Sequence, residues 1–164
     1  MLGGKVDAAA DAAASRAKYA PLVGELWTAV SNVAALGTTA GAAACAANIP
    51  LLCSLFHPAV EADVQNAAYQ LLVTALQHED AAAVCERTHA PLQVMRLMEI
   101  LPGDCAGPLL DGLVAVLEAS STLRVRARPM GLLLQAIDII MSSAEPTDRE
   151  AGVRLLACVV GDEA

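Results

Sequence analysis

Cys85 and His89 stand four residues apart, the spacing at which two side chains on one helical face can share a zinc ion. The sequence offers no second pair at a suitable spacing, and two donors do not complete a site, so no metal is expected. His57, His78 and His89 fall at turns or helix ends, without a Ser or Cys at the spacing of a nucleophile and its base. Glu79 and Asp80 form a carboxylate pair, but they open an apolar run, where acids complement the positive end of a helix. There is no GxGxxG, GxxxxGKS, HExxH or GxSxG, hence neither a phosphate cradle nor a nucleophile elbow. The expectation is a protein without catalysis and without a cofactor. An enzyme or metal protein is the rival that a stoichiometric bound metal would revive.

Two further sets suit recognition instead. "LRVRAR" gathers Arg124, Arg126 and Arg128 in an otherwise acidic chain, where they would meet an acidic partner loop or a carboxylate-rich tail, or form a solvated helix face. "LWTAVSNVA" holds the single tryptophan, Trp27, with Asn32 five residues on: either a clamp for a partner or a piece of core.

These residues need elements to hold them. Apolar residues make up 56% of the 164 and aromatics only 2%; much of the apolar content is Ala, the best helix former, so the fold class is all-α. Ten Lys and Arg against eighteen Asp and Glu give a net charge of −8, which repels phosphate backbones and argues against nucleic acid. The five cysteines are odd in number, lack a CxxC and mostly lie in apolar runs, a pattern suited to a reducing compartment. The cytoplasm is expected, with the nucleus or a cytoskeletal or ciliary structure left open. The opening twenty residues contain Asp7 and Asp11 and no continuous apolar core, so no signal peptide is read there. Leu26 to Val60 carries no Asp, Glu, Lys or Arg, but Asn32, Asn48, Pro50 and several glycines and threonines interrupt it. Buried helices are expected there and not a membrane span, a membrane-associated α protein being the rival.

Sliding the chain along itself exposes an internal period. "ELWTAVSNVA" falls on "AAYQLLVTAL", then "LLDGLVAVLE", then "GVRLLACVVG", at shifts of about 41 to 43 residues. Between them lie "NIPLLCSLF", "APLQVMRLM" and "RPMGLLLQAI", headed by Pro50, Pro91 and Pro129, and proline suits a first helical turn. The period predicts long helices over Tyr19 to Leu36, Ala62 to Leu76, Asp104 to Ala119 and Asp148 to Val160. Pro-headed helices are predicted over Ile49 to Phe56, Pro91 to Leu101 and Pro129 to Met141. Short ones follow near Thr39 to Ala47, Asp80 to Arg87 and Thr122 to Arg128. Asp104 is expected as an N-cap, and Thr147 with Glu150 as a capping box.

In "NIPLLCSLFHPAVEADVQNAAYQLLVTAL" an Ile-Pro-led helix precedes a Val-Gln-led long one, and this resembles the armadillo-repeat family. "DAAAVCERTHAPLQVMRLM" resembles the junction into the next unit, and the likeness runs from about Tyr19 to Gly161; the related HEAT-type stack of two-helix units is the nearest rival reading. The resemblance implies a right-handed α-solenoid of about three to four armadillo-like repeats over residues 19–164, with residues 1–18 an Ala-rich helix packed on it. In peptide-carrying members, Trp and Asn four apart project from the concave face. Here they are five apart, which turns Trp27 by about 100 degrees into the core register with Tyr69, Leu110 and Val153. The ladder position is then Thr28, Gln70, Asp111 and Arg154, so an importin-like peptide carrier is not expected.

The groove would be lined by Gly24, Thr28 and Asn32, by Asn66, Gln70 and Thr74, by Asp111 and Ala115, and by Glu150, Arg154 and Cys158. Such surfaces take extended segments or helices of partner proteins. The apolar ending "LLACVVGDEA" lacks a polar capping unit, so self-association or a larger complex through the ends is also expected. The functional expectation is a scaffold or adaptor, with a structural subunit of a large assembly as the alternative.

Overall fold

The structure, a computed structural model, describes residues 38–161 except 59 and 102, together with Ala17, Ala20, Pro21, Gly24 and Thr28, which are helical. Trp27, Asn32 and most of residues 1–37 lie outside the described residues, and with them the expectations for Trp27 and the first helix.

The described residues are all-helical. The helices are α1 (Thr38–Ala47), α2 (Ile49–Ser54), α3 (Ala62–Leu76), α4 (Ala81–Arg87), α5 (Ala90–Ile100), α6 (Gly103–Ala119), α7 (Ser121–Ala127), α8 (Leu132–Ser142) and α9 (Pro146–Val160). A 3-10 turn, Arg128–Met130, joins α7 to α8. Short, Pro-headed and long helices alternate in that order, though the third differs at its head. Pro50 and Pro91 sit in the first turns of α2 and α5, where their missing N–H has no helical partner to lose.

The contacts between elements repeat with that order. Each long helix packs on the helix before it: α2 on α3, α5 on α6, α8 on α9. Among the long helices α6 lies between α3 and α9, and among the short ones α4 lies between α1 and α7. The core runs continuously through these rows. On α3 it takes Ala68, Leu72, Ala75 and Leu76, and on α6 Leu109, Leu113, Val116 and Leu117, the three- and four-residue steps of a helix face. Alanine and glycine let neighbouring axes approach closely. At Gly112 of α6 an added Cβ would stand 2.7 Å from the Cβ of Leu76 on α3.

The third unit departs from its expected start. Pro129 heads the 3-10 turn and not the helix, because Gly131 takes a left-handed φ of 85° that breaks the path before α8. Aligned by helix bounds, α8 matches α5 residue for residue, with Gln135 in the place of Gln93. The capping box at Thr147 is also replaced. Glu145 is the N-cap and Pro146 the first helical residue, so Thr147 stands inside α9. The helix holding Asp104 starts at Gly103, two residues too early for Asp104 to cap it.

Ser120 is the cap that holds α7. Its Oγ accepts from the Leu123 N–H at 3.1 Å and donates to Glu86 Oε1 of α4, while the residue is 5% exposed. Ser120→Ala removes both bonds and leaves a carboxylate short of a donor. Urea titration is expected to show a loss of about 1–2 kcal/mol.

Candidate functional site

Register places three polar residues at the same point of successive long helices, Gln70 of α3, Asp111 of α6 and Arg154 of α9, and Thr28, itself helical, is the residue expected in the same column. All four are exposed. The Thr28 hydroxyl donates to the Gly24 carbonyl at 2.8 Å, and Thr74 donates to the Gln70 carbonyl at 3.0 Å, one turn back on their own helices. Asn66, Gln70 and Thr74 therefore run along one exposed stripe of α3, and Asp111 continues it on α6.

Arg154 closes the row from α9. Its guanidinium grips Glu118 of α6 with Nη2 at 3.0 Å from Oε2 and 3.1 Å from Oε1, and Nε 3.3 Å from Oε1. Nη1 lies 3.8 Å from Asp111 Oδ1. The Glu118 hydrogen bonds, with the charges of Glu118 and Asp111 behind them, raise the guanidinium's pKa. The three side chains are each about half exposed, so this pairing contributes within about 1 kcal/mol. Arg154→Ala is expected to lower stability by no more than that, with the loss shrinking in high salt when unfolding is followed by circular dichroism.

Toward the start of α9 the same row opens into a cleft of about 390 Å³ lined by Gly107, Pro108, Asp111, Glu145, Thr147 and Asp148. Its polar lining is acidic. Behind it, a second cleft of about 260 Å³ lies between the α5–α6 pair and α8, and Gly107 and Asp148 border both. The first can seat a side chain of a segment laid across α6 and α9, and its carboxylates disfavour an anionic one.

One groove position and one core position turn out otherwise. Cys158, expected in the lining, is buried at 9% exposure. Val153, expected in the core column with Tyr69 and Leu110, is 54% exposed. Tyr69 is half-buried, its hydroxyl donating to the Cys105 carbonyl of α6 at 3.1 Å, and Leu110 is buried. Val153 lacks such a cover among the described residues.

The three arginines of "LRVRAR" face backbone oxygens. Arg124 Nη1 donates to the carbonyls of Leu117 and Glu118 at 3.0 Å each, at the end of α6. Arg126 donates to the Glu86 carbonyl near the end of α4, and Arg128 Nε to the Val159 carbonyl of α9 at 2.9 Å. Each supplies a donor and a positive charge at the carbonyl end of a helix. Sequence reading missed this function because every acceptor belongs to another helix. Cys85 is buried on α4, whereas His89 is exposed beyond the helix end, so the two do not share a helical face. Among the described residues no three His, Cys, Asp or Glu are gathered to hold a metal.

Comparison with protein-family models, curated proteins and solved structures returned no match. The functional reading therefore stands on the residues themselves. Among those described, no helix is long and apolar enough to cross a membrane.

Proposed function

We propose that the chain is a non-enzymatic protein–protein interaction module, an armadillo-like α-solenoid working as a scaffold or adaptor in the reducing cytoplasm. The partner contributes an extended segment or a helix laid across α3, α6 and α9. One observation carries this reading: Gln70, Asp111 and Arg154 occupy one register and are all exposed, while beside them Leu110, Gly112 and Leu155 are buried and Tyr69 and Leu71 half-buried. Side-by-side long helices present such a row as a continuous strip. The acidic cleft between α6 and α9 favours a neutral or basic segment and disfavours a phosphorylated one.

A displayed library of peptides about fifteen residues long tests the strip, that length being enough to span three helices at about 10 Å each. Selected peptides are expected to bind the Gln70→Ala/Asp111→Ala variant at least about ten-fold more weakly, a change of about 1.4 kcal/mol. Failure to select any peptide, or unchanged binding to the variant, would overturn the proposal.

A further inference from the structure

The cleft between the α5–α6 pair and α8 has a counterpart one unit earlier, between the α2–α3 pair and α5. There α2 packs on α5, whereas α5 and α8 make no comparable contact among the described residues. The side chains that fill the earlier space are cut back in the later one. Gln65, Tyr69 and Leu101 are half-buried; at the same register stand Ala106, Leu110 and Ser143, all smaller and all lining the cleft. Tyr69 is the largest of the three. It packs on the core, and its hydroxyl donates to the Cys105 carbonyl at 3.1 Å. The counterpart of Cys105 on α9 is Asp148, which lines the cleft. Ser143 Oγ donates to Asp148 Oδ2 at 3.2 Å, and Oδ1 lies where a Cβ added to Gly107 would be 2.8 Å away. The later space thus has an acceptor at the place of the earlier one, without the ring and hydroxyl that reach it.

We infer that this cleft binds a hydroxyphenyl group, with its ring against Met98, Leu110 and Ile139 and its O–H donated to Asp148. Tyr69 is the template for that ligand within the same fold. The cleft holds about 260 Å³, below the roughly 300–1,000 Å³ that encloses a drug-sized molecule, and this suits a single ring. Met98 brings a thioether, a favoured neighbour of an aromatic edge. An O–H donated to a carboxylate is a charge-assisted bond, stronger than the one Tyr69 makes to a carbonyl. Glu99 and Asp138 also line the cleft, and their charge disfavours a phosphorylated ring. The inference stands apart from the function proposed for the polar strip, since Gln70 and Arg154 do not line this cleft.

NMR titration of the whole chain with p-cresol tests the site. The amides of Gly107, Gln135 and Ser143 should shift saturably. Toluene, which lacks the hydroxyl, should bind at least about ten-fold more weakly, the scale of one hydrogen bond to a charged group. Leu110→Tyr restores the ring of the earlier unit and should abolish the shifts. Leu110 is buried, so Ala106→Gln, at a half-buried position, is the second variant. It narrows the cleft and should weaken p-cresol about ten-fold. Gln70→Ala/Asp111→Ala should bind p-cresol as the unaltered chain does. A Gly-Gly-Tyr-Gly-Gly peptide separates two sources of the group: tighter binding than p-cresol assigns it to a partner's tyrosine, and equal or weaker binding to a free phenol. No shift at these amides up to about 20 mM p-cresol, the weak limit for so small a ligand, would overturn the inference. So would equal binding of toluene, or tighter binding of n-butylamine, which would make the cleft a lysine site.

Discussion

Replacing Gly112 by alanine is expected to destabilise the protein by about 1–3 kcal/mol, and by leucine more, in urea titrations. The direction makes the experiment informative. Inside an exposed helix, glycine to alanine stabilises by about 1 kcal/mol, since alanine loses less backbone entropy. Gly112 is buried in α6, and the new Cβ would lie 2.7 Å from Leu76 Cβ and 3.2 Å from its Cδ1. The Cδ1 can rotate away, but the Cβ is fixed to the backbone of α3, so the two helices must separate. Truncating Leu76 to alanine leaves its Cβ in place, so a Leu76→Ala/Gly112→Ala cycle should recover only the part of the loss owed to Cδ1. A more stable Gly112→Ala protein would mean that α3 and α6 do not meet there.

Alkaline pH should weaken the fold through two thiols. Burial pushes Cys53 up to about 12, with the charge of Cys85 adding to it, and burial alone pushes Cys85 up to about 12, from an ordinary value of 9.0. In the unfolded chain both ionise near that ordinary value. Between the two values the unfolded state holds fewer protons, so stability is complete below about pH 9 and falls as pH rises toward 12. Each buried thiol adds a slope of up to about 1.4 kcal/mol per pH unit, or about 3 kcal/mol for the pair by about pH 10. Urea titrations across that range should show the slope in the unaltered chain and a clearly smaller one in Cys53→Ala/Cys85→Ala, where the buried Cys45, also raised by burial, remains. An equal slope in both would place the alkaline sensitivity elsewhere.

Helix type and register were legible in the sequence because they depend on local spacing. Ala62 to Leu76 was predicted and observed at the same bounds, and the exposed position of Gln70, Asp111 and Arg154 followed from the period. Pro129 misled because proline also suits a 3-10 turn, and only the left-handed Gly131 marks the true start of α8. The bonds of Arg124, Arg126 and Arg128 were hidden for a different reason. Their acceptors are carbonyls six to forty residues away, and no side-chain pattern announces a carbonyl. The Arg154–Glu118 pair, 36 residues apart, is likewise a product of packing. Val153 shows the reverse case: its residue type matches the core column, but burial depends on a neighbour that the pattern cannot supply.

Spin-label distances among Gln70→Cys, Asp111→Cys and Arg154→Cys, taken in pairs in a Cys105→Ser background, test the stacked arrangement most directly. Adjacent packed helices lie about 8–10 Å apart. With α6 between α3 and α9, the distance from position 70 to position 154 should be about twice either of the others. Three nearly equal distances would describe a closed bundle, and with it the continuous strip would be lost.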